Sequence, residues 1–199
     1  MVAGTSFGDR RATDDPNRPP APTYSNDLGV HALVWTDGWS EAQCRQACEG
    51  TSRLGYQIIE IPLLDPSTVD AAMTKRILAE CNLKAATSAC LTFHADISSA
   101  DNDCAARGEE LLNEALDTCV GLGGKIMCGN MYSALGKYDA PPTTQGRANA
   151  VAALKRVARR AADMGVTLGL EVLNRYETNL LNTAEQAMEF LAEVGVNRH

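Results

Sequence analysis

An α/β fold of parallel strands and returning helices is what the sequence predicts, and three observations carry it. Short apolar runs alternate with longer amphipathic stretches five times between Val30 and Val194. Each repeat takes roughly 25 to 40 residues, the size of one βα unit. Polar caps and glycines punctuate the repeats: Ser40, Asp101 and Thr183 stand before helical patterns, and Gly55, Gly123-Gly124 and Gly165 stand after them. Alternation of this kind implies parallel strands joined by right-handed crossovers.

The elements follow in order. Residues 31–35 form a short apolar run and the expected first strand. Ser40 suits the N-cap of a helix reaching about Leu54, with Glu41 in its first turn. Gly55 ends that helix, and residues 57–62 read as the second strand. Asp65 or Ser67 caps a helix to about Glu80, and residues 83–92 hold the third strand. Asp101 or Asp103 opens a long helix to about Leu122. Its Leu111, Leu112, Ala115, Leu116, Cys119 and Val120 share one face, which reads as core packing. Residues 125–128 form the fourth strand. The loop over 129–145 carries Tyr132, Tyr138, Pro141 and Pro142. Loops longer than ~12 residues in compact domains tend to be functional or disordered. Residues 147–164 are helical, residues 166–171 form the fifth strand, and Thr183 caps a helix to about Val194.

Residues 1–28 differ: Pro16, Pro19, Pro20 and Pro22 sit among polar residues, and the segment reads as a disordered tail. No hydrophobic region follows Arg10-Arg11, so a secretory signal is not expected. Residues 29–199 form the single folded unit. A net charge of −7 argues against nucleic-acid binding. Lys155, Arg156, Arg159 and Arg160 suit the solvated face of one helix. No apolar run approaches the ~18 residues that span a bilayer. The seven cysteines include no CxxC pair, which fits a reducing, cytoplasmic compartment. Cys44 and Cys48 have helical spacing, and structural zinc is not expected.

Two architectures fit: an open doubly wound sheet, or part of a (β/α)8 barrel. No glycine-rich phosphate loop follows the first strand, which weakens a nucleotide-binding reading. The chemistry then rests on the strand ends. Glu171 follows the apolar run 166–170, and a carboxylate there carries a burial cost that folding alone does not explain. In an α/β barrel such a position reads as catalytic. Glu177 follows six residues later. Glu60, flanked by isoleucines, is either a satisfied structural carboxylate or a site-lining one. His94 reads as structural or solvent-facing more readily than as a ligand.

The stretch Leu170-Glu171-Val172-Leu173-Asn174-Arg175-Tyr176-Glu177, continuing to Leu181-Asn182-Thr183, closely resembles the fifth-strand motif of the D-tagatose 3-epimerase and D-psicose (allulose) 3-epimerase family. That family belongs to the xylose-isomerase-like TIM barrel superfamily. Trp35 with Trp39-Ser40, the segment 54–60, Cys128-Gly129 and Tyr132-Ser133 extend the likeness weakly over the ordered chain. The resemblance implies a barrel enzyme that epimerises a ketose at C3 through a cis-enediolate, with a divalent ion (Mn2+, Co2+ or Mg2+). It makes Glu171 a metal ligand and proton carrier, and Glu177 an anchor for substrate oxygens. It places His31, Trp35, Cys128 and Gly129 along the sugar pocket, and it implies a homo-oligomer. Other superfamily chemistries, such as hydroxypyruvate isomerase or inosose dehydratase, are alternatives.

In the resembled family the remaining metal ligands come from later strands, an aspartate, a histidine and a second glutamate. Only the first ligand has a match here, and His199 precedes the aspartate position. The expectation is therefore an incomplete barrel of about five βα units, inactive alone, or a non-catalytic half-barrel that needs a partner chain.

Overall fold

The computed structural model describes residues 26–195. The expected tail therefore lies outside the described residues except for its last three, and so do Asn197, Arg198 and His199. Five strands form one sheet: β1 (Gly29–His31), β2 (Ile58–Pro62), β3 (Lys84–Ser88), β4 (Ile126–Gly129) and β5 (Thr167–Leu170). They lie in the order β1-β2-β3-β4-β5, every pair parallel. The helices are α1 (Glu41–Arg53), α2 (Ala71–Glu80), α3 (Asn102–Gly121), α4 (Thr144–Asp163) and α5 (Ala184–Val194). Strand and helix alternate throughout, as the periodicity predicts.

Burial alternates along the strands and separates two faces. Ile59, Ile61, Thr87 and Met127 are fully buried on one face. There they meet Leu112, Ala115 and Leu116 of α3, Ala150, Leu154 and Val157 of α4, and Phe190 of α5 in one core. Burying each such large apolar side chain contributes on the order of 1.5–3 kcal/mol. The opposite face carries His31, Glu60, Ser88 and Cys128, all half-buried. In a closed barrel that second face is the interior. Here the five strands remain an open sheet, and β1 and β5 each have one paired neighbour among the described residues.

The caps are local and sequence-readable. Ser40 with Gln43, and Thr183 with Gln186, form reciprocal capping boxes. Asp101 caps α3 and Asp70 caps α2. The Asp65 expectation is displaced: its carboxylate caps a short 3-10 turn, Pro66–Thr68, before α2 begins. Helix α4 starts three residues earlier than expected because the Thr143 hydroxyl accepts from the Gly146 N–H. The largest correction concerns the first strand. It ends at His31, because His31 accepts the Leu33 N–H and residues Ala32–Val34 turn into a 3-10 helix. Local side-chain acceptors compete with strand pairing in this way. Arg156 and Arg160 pair with Glu109 and Asp117 of α3, a solvated seam between helices. All seven cysteines are free thiols, and Cys44 and Cys48 are buried on α1.

Candidate active site at the strand ends

Glu171 is the first residue beyond β5, and its backbone is fixed from both sides. Its N–H donates to the Gly129 carbonyl at 3.1 Å. Its carbonyl accepts the Tyr132 phenol at 2.8 Å. The side chain, however, is exposed. The expected burial cost is therefore not incurred: β5 ends at Leu170 and the carboxylate stands on the rim of an open face. Among the described residues its oxygens make no hydrogen bond or ion pair.

Gly129 explains how β4 reaches that geometry. Its φ of +118° lies outside the range L side chains favour, and a Cβ there would sit 2.5 Å from the Ala89 carbonyl oxygen. It is buried. Its carbonyl holds both Glu171 and Met131. Its expected place along the sugar pocket thus becomes a backbone role, that of holding the strand end that carries Glu171.

The loop after β5 is an ordered turn. The Asn174 side-chain carbonyl accepts the Tyr176 N–H at 2.8 Å, and the Glu177 N–H bonds the Asn174 carbonyl at 3.0 Å. The Asn174 amide donates to the Glu177 carboxylate. Glu177 is half-buried, and its carbonyl accepts the Gly136 N–H from the loop after β4 at 2.8 Å. Asn182 donates to the Leu173 and Thr178 carbonyls and closes the turn.

The first part of the long loop after β4, residues 130–134, is buried. Met131, Tyr132, Ser133 and Ala134 are each 0% exposed. Asp96, itself buried, accepts the Ala134 N–H at 3.2 Å and the Tyr138 phenol at 2.6 Å. Three consecutive strand-end loops are thereby stitched together. Burial pushes the Tyr132 phenol up to about 12, so it remains a donor at neutral pH.

On the open face, Cys128 lies between two carboxylates. Burial, then the charges of Glu60 and Glu171, push its thiol up to about 11, so it is neutral. Its Sγ donates to the Thr87 carbonyl at 3.5 Å. His31 Nε2 is 3.3 Å from Ser88 Oγ and 3.7 Å from Glu60 Oε1. Glu60 is therefore a face-lining carboxylate rather than a core one. His94 is exposed.

Trp35 departs from its expected place. A Cβ on Gly50 of α1 would meet its ring at 2.8 Å, so the indole packs on the helix layer. Its Nε1 is buried without a partner among the described residues. The cause is the 3-10 turn after His31, which rotates the chain off the strand direction. Trp39 instead lines a cleft of about 150 Å3 beside the ends of β1 and β2, with Ala32, Asp37 and Leu64. Its indole N–H bonds Thr74 Oγ1 at 2.9 Å. Sequence reasoning missed the Tyr132 clamp, Asp96 and Ser88. The Asn174 turn was not anticipated either; the asparagine two residues before Tyr176 is the local signal for it.

Parallel strands with polar groups gathered at their C-terminal ends are the hallmark of barrel enzymes. The sequence matches the xylose isomerase-like TIM barrel family over residues 48–199, and the chain belongs to that family. Among its relatives, an L-ribulose 3-epimerase of Methylomonas sp. (strain DH-1) is 49% identical over 168 residues, covering 84% of this chain and 59% of the relative. A ketose 3-epimerase of Arthrobacter globiformis is 44% identical over 167 residues, covering 84% and 58%. The crystal structure of a Methylomonas sp. D-allulose 3-epimerase in complex with D-allulose superposes with a TM-score of 0.83 at 49% identity, covering 84% and 58%. The chain thus spans somewhat under three fifths of the length of the curated relatives it matches.

Proposed function

We propose that this chain carries the Glu171–Glu177 half of a ketose 3-epimerase site. The observation that supports it most is Glu171: a carboxylate with fixed backbone and unpaired oxygens at a strand end, followed in the same ordered loop by a second carboxylate steered by Asn174. In this reading a Glu171 oxygen takes the proton from C3 of the ketose. The resulting cis-enediolate needs donors at its oxygens and a proton returned on the opposite face. Glu177, held by Asn174, accepts hydrogen bonds from sugar hydroxyls near C3. The neutral Cys128 thiol lines the same face.

The resemblance also implies a divalent ion, with Mn2+, Co2+ or Mg2+ as candidates. Among the described residues no three His, Cys, Asp or Glu side chains converge to hold a metal. Glu171 supplies one hard oxygen donor, which is fewer than such an ion takes from a protein. The described residues do not by themselves make up a metal site. No helix among the described residues is long and apolar enough to cross a membrane. Seven free thiols support a cytoplasmic location. Among the described residues β1 and β5 each pair on one side only, and light scattering of the purified chain tests whether a second polypeptide associates with it.

The test is exchange of the C3 proton of L-ribulose or D-allulose with deuterated solvent, followed by NMR. The chain is mixed with the remaining portion of the Methylomonas enzyme, with Mn2+ present. Exchange by the parent mixture and its loss in Glu171→Gln are expected. Equal exchange in both would overturn the assignment.

A further inference from the structure

Hydrogen-bond valence across the first three strands separates a residue that holds from residues that bind. The backbone N–H of Leu33 points at His31 Nδ1 at 3.1 Å. A backbone N–H only donates, so Nδ1 carries its lone pair there. The single proton of the neutral ring is then on Nε2. That nitrogen lies 3.3 Å from Ser88 Oγ and 3.7 Å from Glu60 Oε1. Both ring nitrogens are committed within the protein, and nothing on the imidazole is left for a sugar hydroxyl.

The two partners keep capacity that His31 lacks. Ser88 accepts from His31 through one lone pair and retains its own O–H as a donor. Glu60 keeps its second oxygen, and its side chain is 33% exposed, enough to meet a ligand. Register sets them on one face, one side-chain step apart: His31 pairs with Glu60 and Glu60 with Ala86, while Ser88, two residues on, pairs with Pro62 and Cys128, and the His31 ring spans the two rows. Cys128 lies on the same face, between Glu60 and Glu171. A carboxylate acceptor beside a hydroxyl donor is complementary to an alcohol, which both gives and takes a hydrogen bond.

We propose that Glu60 and Ser88 form a hydroxyl-recognition subsite for a polyhydroxylated ketose, with His31 as their positioning residue. The subsite rests on the ketose reading above and adds to it. It anchors the part of the sugar remote from Glu171, so it sets which ketose is preferred rather than how the proton moves.

Two measurements on the 199-residue chain test it. The first is the long-range 1H–15N spectrum of the His31 ring, in which a proton on Nε2 and none on Nδ1 is expected. An Nδ1–H tautomer would overturn the positioning role without any sugar present. The second is titration with L-ribulose by NMR, with the chain mixed with the remaining portion of the Methylomonas enzyme and Mn2+ as in the exchange test. Glu60→Gln and Ser88→Ala should each raise the dissociation constant about tenfold or more, as loss of a hydrogen bond involving a charged group does. Ser88→Thr, which keeps the hydroxyl, should restore the parent value. If the parent binds L-ribulose and the variants bind it equally well, the subsite is wrong and the Glu171 reading stands. If the tautomer is as expected and the parent binds no ketose, the functional reading itself fails and takes the subsite with it.

Discussion

Removing one oxygen, Tyr132→Phe, tests whether the strand end carrying Glu171 is held as described. Tyr132 is fully buried, and its phenol lies 2.8 Å from the Glu171 carbonyl and 3.3 Å from the Leu181 carbonyl. One O–H satisfies one acceptor at a time, and the shorter distance assigns it to Glu171. Leu181 has a second donor, the Leu173 N–H at 3.3 Å, whereas the Glu171 carbonyl has no other among the described residues. The substitution therefore orphans one part-buried acceptor and leaves the ring packing against Phe190 in place. A loss of about 1–3 kcal/mol is expected. For a chain of this size that lowers the thermal midpoint by roughly 2–4 °C per kcal/mol. Urea unfolding of parent and variant gives the free energy. Amide exchange locates it, with the Glu171, Leu173 and Thr178 amides expected to exchange faster while α1 and α2 do not change. A variant within about 0.5 kcal/mol of the parent, with unchanged exchange in that loop, would refute the clamp.

Three other outcomes are expected. Gly129→Ala should cost about 1–3 kcal/mol from backbone conformation alone, and more from the 2.5 Å approach to Ala89, read by thermal unfolding. Asn174→Ala should leave the melting temperature nearly unchanged but free the Glu177 side chain, seen as increased mobility of its carboxyl carbon by NMR relaxation. On the alkaline side, the Tyr132 phenol is raised in the folded state to about 12 from an ordinary value of about 10. Its contribution is whole below the unfolded value and is lost as pH climbs through that interval; Tyr138, raised by burial beside Asp96, adds in the same direction. Denaturant midpoints should fall between about pH 10 and 12, and less steeply in Tyr132→Phe.

The alternation of five βα units was legible because caps and apolar periodicity are local. Ser40, Asp101 and Thr183 lie where their side chains predict. The first strand was not legible beyond His31, since an apolar run does not reveal that a ring nitrogen will take the Leu33 N–H and turn the chain. Trp35 went astray for the same reason. The position of Glu171 at a strand end was readable, but its exposure was not: burial depends on what covers the open face, and no single strand encodes that. The ties between loops, Tyr132 to Glu171, Asp96 to Tyr138 and Gly136 to Glu177, join residues about 40 apart in sequence. Nothing in local patterning signals such pairs.

The strict strand order has a consequence for synthesis. Each of β2 to β5 pairs with the strand that immediately precedes it in the chain. A polypeptide leaving the ribosome from its N-terminus can therefore dock every new strand onto a partner already made. Growth proceeds by accretion, with loop closures spanning only one βα unit at each step. Among the described residues β5 pairs on one side only, so its other side is the template for whatever strand comes to lie beside it.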